Sequence, residues 1–125
     1  MPLCRPLRLL PAALALAALP LAAPALESVA AYLEEAPEEL LALEGDVEWG
    51  AFLAAECATC HGNAGAADGI PPITGWPEQG FRAVVHAYRT GLRPNQSMQT
   101  VAARLSDEEI AALGAYLATL PAATD

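Results

Sequence analysis

In this chain the decisive stretch is Cys57-Ala58-Thr59-Cys60-His61. Two thiols three positions apart fall on one side of a helical turn, so both sulfurs can reach one edge of a single planar group. An imidazole directly after the second thiol is then placed to send a ring nitrogen to a metal at the centre of that group. Cysteines at this spacing followed by histidine form the pattern of covalent haem attachment, with His61 as proximal ligand of the iron. Two other chemistries fit less well. A redox dithiol calls for a β-α-β surround, which the flanking pattern lacks. Structural zinc needs four ligands, and His86 is the only other His or Cys after Cys4.

Working outward, Asp46 caps a predicted helix running through Glu56, so that the site opens at its end. Trp49, Phe52 and Leu53 supply its expected apolar surface, and Gly50 allows another element to approach closely. Residues 62–77 contain four glycines and three prolines, the composition of a loop shaped by turns. A second helix is predicted from Glu78 to Thr90, stopped by Gly91 and Pro94, with Phe81, Val84, Val85 and Tyr88 on one face. A polar loop follows. Ser106 and Glu109 then form a capping box for a last helix whose buried stripe is Ile110, Leu113, Leu117 and Leu120. No strand pattern and no internal repeat is visible, and the predicted class is all-α.

The chain has 125 residues. Residues 1–25 read as a secretory signal peptide: Arg5 and Arg8, an apolar run from Leu9 to Ala22, and Ala23-Pro24-Ala25 as a small-x-small cleavage site. That run is short for a membrane span, and no later segment is apolar enough for one. Removing the leader leaves about 100 residues, a single domain with a thin core of its own, so a bound cofactor would fill much of it. Residues 26–44 are acidic, with Glu27, Glu34, Glu35, Glu38, Glu39 and Glu44, and with Pro37 interrupting them they read as one or two short helices or a linker, serving as a solvated extension or as a docking arm for a basic partner. Residues 45–125 are the expected folded domain.

Lysine is absent, and after the leader four arginines stand against fifteen carboxylates, a net charge of −11. A polyanion such as nucleic acid is excluded as a partner by repulsion. Basic patches on partner proteins are the natural complement.

From Gly45 to Leu120 the chain resembles class I cytochromes c, and is most similar to short periplasmic ones and to the haem subunits of flavocytochrome c sulfide dehydrogenases. The resemblance rests on the helix into Cys57-Ala58-Thr59-Cys60-His61-Gly62, on Pro71-Pro72-Ile73-Thr74-Gly75, on Tyr88-Arg89-Thr90-Gly91-Leu92-Arg93-Pro94-Asn95 with Met98, and on Leu105-Ser106-Asp107-Glu108-Glu109-Ile110. It implies three main helices around one covalently bound haem c. The first and last helices would cross, bringing Gly50 and Leu53 near Leu113 and Tyr116. The resemblance further implies that the Pro71 carbonyl accepts the second imidazole N–H of His61, that Ile73 presses on the haem face, and that Met98 is the sixth ligand. Arg93 is left as a propionate partner or a solvent-facing side chain. His86 is the other candidate ligand, but 100° per residue places it well away from the Phe81 face of its helix.

These expectations describe a periplasmic carrier of single electrons, not an enzyme, acting as a free shuttle or as the cytochrome subunit of a dehydrogenase. The alternative is a haem enzyme or gas-binding sensor with an open sixth position, which would want polar groups on the distal side. The groups wanted are His, Arg or Tyr, and Arg93 is the candidate of that kind near Met98 in the sequence.

Overall fold

A computed structural model describes residues 28–62 and 69–123. The expected signal peptide lies outside the described residues. Those described are all-helical: α1 (Val29–Glu35), α2 (Glu38–Ala42), α3 (Val47–His61), α4 (Glu78–Arg89), α5 (Gln96–Ala102) and α6 (Asp107–Thr119). This is the arrangement of a class I cytochrome c. None of these helices is long and apolar enough to cross a membrane.

The helix starts are set by side chains that accept otherwise unpaired backbone N–H groups. The Asp46 carboxylate accepts from the Trp49 amide at 3.0 Å. Ser106 and Glu109 complete both halves of the capping box on α6. Helix α3 runs through His61 and not only to Glu56, so both cysteines and the histidine of the motif are helical residues. The expected polar loop after Pro94 contains a helix, α5, because Asn95 caps it by accepting from the Met98 amide.

Helices α3 and α6 cross at backbone contact. A Cβ built on Gly50 would lie 2.0 Å from the Ala112 carbonyl oxygen and 2.8 Å from the Tyr116 Cβ, so only glycine permits the crossing. Between these helices and α4 lies the main core, formed by Leu40, Ala54, Phe81, Val85, Ala102, Ile110, Leu113 and Leu117. Leu53, Ile73 and Tyr116 pack against its edge. Trp49 and Phe52 do not join it. Their side of α3 points away from α6, and both are exposed.

Within the acidic stretch, the expected short helices are α1 and α2, and they fold back onto α4. Tyr32 and Leu40 are buried, and Tyr32 forms a second cluster with Ala83, Val84 and Ala87. Helix α4 is therefore buried on two sides and not along a single face. The fastening is Arg82, 2% exposed, whose Nη1 donates to the carbonyls of Leu40 (3.2 Å), Leu41 (2.9 Å) and Leu43 (2.6 Å). Those carbonyls end α2 and have no helical partner of their own. Glu78, one turn before Arg82, pairs with its other terminal nitrogen. Burying this cation is tolerable because its terminal nitrogens are so fully engaged.

Gly50→Ala should destabilise the fold by about 3 kcal/mol, since backbone on the facing helix leaves no room for a methyl group. Urea unfolding of the two proteins measures it, and the midpoint should fall while the slope stays the same.

Candidate haem-binding site

The Cys57, Cys60 and His61 side chains leave the last turns of α3, which the crossing with α6 holds in place. Cys57 is half-buried and Cys60 exposed, and neither is in a disulfide. Burial, helped by the carboxylate of Glu56, pushes the Cys57 thiol above its ordinary pKa. His61 is oriented from one side: its Nδ1 lies 2.7 Å from the Pro71 carbonyl oxygen. That contact makes Nδ1 the protonated nitrogen, which leaves the Nε2 lone pair free for a metal. The segment that supplies Pro71 is itself tied to α6, because the Gly75 amide donates to the Leu117 carbonyl at 2.9 Å. Gly75 adopts φ +73° there, and a Cβ would meet the Ala122 backbone at 2.4 Å.

A cleft of about 850 Å³ opens beside the motif, with Cys57, His61, Pro71, Ile73, Leu117 and Leu120 in its walls. Small residues of α3, Ala51, Ala54, Ala55 and Ala58, widen it. Its size is within the range of cofactor sites. Two thiols, an imidazole with one nitrogen already committed, and apolar walls fit a covalently attached haem.

Of the residues singled out in the sequence, Cys57, His61, Pro71 and Ile73 come together at this cleft, with Cys60 on the next turn of α3. Met98 is half-buried on α5 and is not part of the cleft wall. The Arg93 guanidinium lies over the rings of Tyr32 and Tyr88, at 5.5 and 5.2 Å from their centroids. It forms cation–π contacts with residues from two helices. No sequence pattern forecast them, because Tyr32 sits in the stretch taken for an extension. His86 is half-buried at the side of α4, with its Nδ1 3.1 Å from an Arg89 terminal nitrogen. Arg89 also donates to Asp107 at 2.5 Å and to the Leu105 carbonyl at 3.3 Å, joining α4 to the start of α6.

A helical domain with this motif and this cleft is a c-type cytochrome domain. Residues 48–117 match the family described as cytochrome c oxidase, cbb3-type, subunit III, and over this span the chain belongs to that family. A covalently bound haem c follows from the membership. Among curated proteins, the thiosulfate dehydrogenase electron acceptor of Stutzerimonas stutzeri (strain A1501) is 44% identical over 69 residues. The match takes in 53% of this chain and 32% of that relative, so the chain spans about a third of the relative's length.

Burial first, and the Arg89 cation second, lower the His86 pKa from 6.5 against an opposing pull from Asp107. The unfolded chain therefore takes up a proton near pH 6.5 that the folded chain resists. Stability contributed by neutral His86 is complete above pH 6.5 and is lost as pH falls from there toward the folded pKa. Thermal unfolding between pH 7.5 and 5 should show a larger loss for the parent protein than for His86→Gln, which keeps an acceptor for Arg89 but cannot be protonated.

Proposed function

We propose that this protein is an exported carrier of single electrons, with haem c held by Cys57, Cys60 and His61 and with Met98 as the sixth ligand. The observation that carries the proposal is the 2.7 Å contact from His61 Nδ1 to the Pro71 carbonyl. It fixes the tautomer and ring plane of His61 and leaves Nε2, which has no hydrogen-bond partner among the described residues, free to hold a metal. Haem bound there supplies a reversible one-electron iron couple. The chain's own residues set its surroundings. Cys57 and Cys60 would keep the group from dissociating, His61, hydrogen-bonded to Pro71, would hold the iron, and the apolar walls of the cleft would limit its contact with water.

Met98 is the only methionine after Met1. At His86, the rival ligand, the Arg89 guanidinium can only donate to Nδ1, so the neutral ring carries its proton on Nε2 and neither nitrogen has a free lone pair, which supports Met98 in the role. A thioether favours the softer ferrous state and raises the reduction potential. With His61 and Met98 both holding the iron, no position would be left for a substrate, in keeping with a carrier and not an enzyme.

Export is supported by the arginine-then-apolar start of the sequence and by the type of haem attachment. The electron donor is proposed to be a dehydrogenase that oxidises a small reductant, in line with the name of the relative from S. stutzeri. Fifteen carboxylates against six arginines suit a partner with basic docking groups.

Met98→Ala should let carbon monoxide bind the reduced protein, shift the oxidised spectrum toward high spin and lower the potential, with haem still attached on a denaturing gel. His86→Ala should change none of these. If the two variants behave the other way round, the axial pair is two histidines.

A further inference from the structure

We infer that the solvent face of α3, centred on Phe52, is the docking surface for a redox protein that presents an apolar recess ringed by lysine or arginine. The inference rests on the electron-carrier function proposed above and names where the partner sits.

Phe52 is 77% exposed and Trp49 40% exposed. At about 100° per residue, Glu48, Trp49, Phe52, Glu56 and Cys60 share an arc of roughly 120°, with Phe52 about 160° from the buried Gly50. Two large aromatic rings on one face of a helix are a costly exposure for a small protein, since each loses contact with apolar surroundings. Their positions are not needed for the core, which α3 meets through Gly50 and Ala54 on its opposite side.

Charge selects the occupant. Glu48 and Glu56 flank the rings and are exposed, and Glu44 and Asp46 stand just before them. No Lys or Arg occurs between Arg8 and Arg82, and Arg82 is buried against the ends of α2. The face that α3 and the residues just before it present is therefore apolar at its centre, and every charge they contribute around it is anionic. A second copy of this chain would bring carboxylates against carboxylates, and an anionic lipid surface would be repelled in the same way. A cationic rim around an apolar recess complements both features, steering encounter through charge and holding it through the rings.

The same face carries Cys60, about 12 Å along the helix from Phe52. A protein seated on the rings thus lies beside one of the two anchoring cysteines. In the exchange, one electron leaves the reduced protein and one enters the oxidised partner, with no proton moved.

The test uses the haem-loaded full chain and oxidised mitochondrial cytochrome c, a basic redox protein, as probe. Calorimetric titration at low salt gives the affinity, and stopped-flow mixing gives the second-order rate. Phe52→Ser should weaken both about tenfold, as expected for the loss of a central aromatic anchor. Trp49→Ser should weaken them in the same direction. Oxidation by hexacyanoferrate(III) and the visible spectrum should not change in either variant, because this small anion needs no docking face. Affinity and rate equal to the parent's in both variants would overturn the inference. So would a parent that sediments as a dimer and a Phe52→Ser variant that is monomeric, which would assign the face to a second copy. Failure of hexacyanoferrate(III) to oxidise the parent would remove the carrier function instead, and the calorimetric comparison would still decide the surface.

Discussion

The contact of Gly50 with the Ala112 backbone fixes the angle and depth at which α3 meets α6, and the site follows from it. One turn past that contact Ala54 enters the core, and on the next turns Cys57 and His61 reach the cleft. The other wall depends on α6 as well, because Leu117 accepts the Gly75 amide and thereby places the segment that carries Pro71. Both halves of the His61–Pro71 contact are thus referred to one helix. A small domain with a thin core gains from this economy, since few residues must be rigid for the ligand to be rigid.

A second layer covers the first. The strip of α4 turned away from the main core is closed over by α1 and α2, and Arg82 joins them through three main-chain carbonyls. Arginine suits this work because a planar fork of donors meets several acceptors at once, where lysine would offer a single point of charge. The Tyr32 ring, brought in by α1, in turn lies under Arg93 together with Tyr88. Cations are few in this chain, and three of the four arginines after Arg8 hold elements together. The exterior keeps its anionic character as a result.

Much of the fold was legible in local chemistry. Asp46, Ser106 and Glu109 announced the helix starts because a cap is decided within four residues. The Cys57-to-His61 spacing announced the cofactor because attachment is also local, and the resemblance to class I cytochromes c added the Pro71 contact and the Gly50 crossing. What escaped was settled by residues distant in sequence. Residues 26–44 read as short acidic helices or a linker, and what composition hid is the packing of α1 and α2 on α4, because glutamates dominate the stretch while the buried Tyr32 and Leu40 are only two positions. The role of Arg82 was not legible because its acceptors lie about forty residues upstream. Helix α5 escaped because Asn95 caps a stretch with little apolar periodicity. Trp49, Phe52 and Leu53 read together as the apolar surface of α3, and hydrophobicity alone does not tell that only Leu53 of the three packs against the core.

The central claim is that one haem, attached through Cys57 and Cys60 and oriented by His61, makes this chain a carrier of single electrons. A potentiometric titration of the purified full chain, followed through its visible absorption bands, tests it most directly. The account predicts one wave with the slope of a one-electron couple, the same in the oxidative and reductive directions. Two waves, or a reduced form whose spectrum changes when carbon monoxide is admitted, would contradict it.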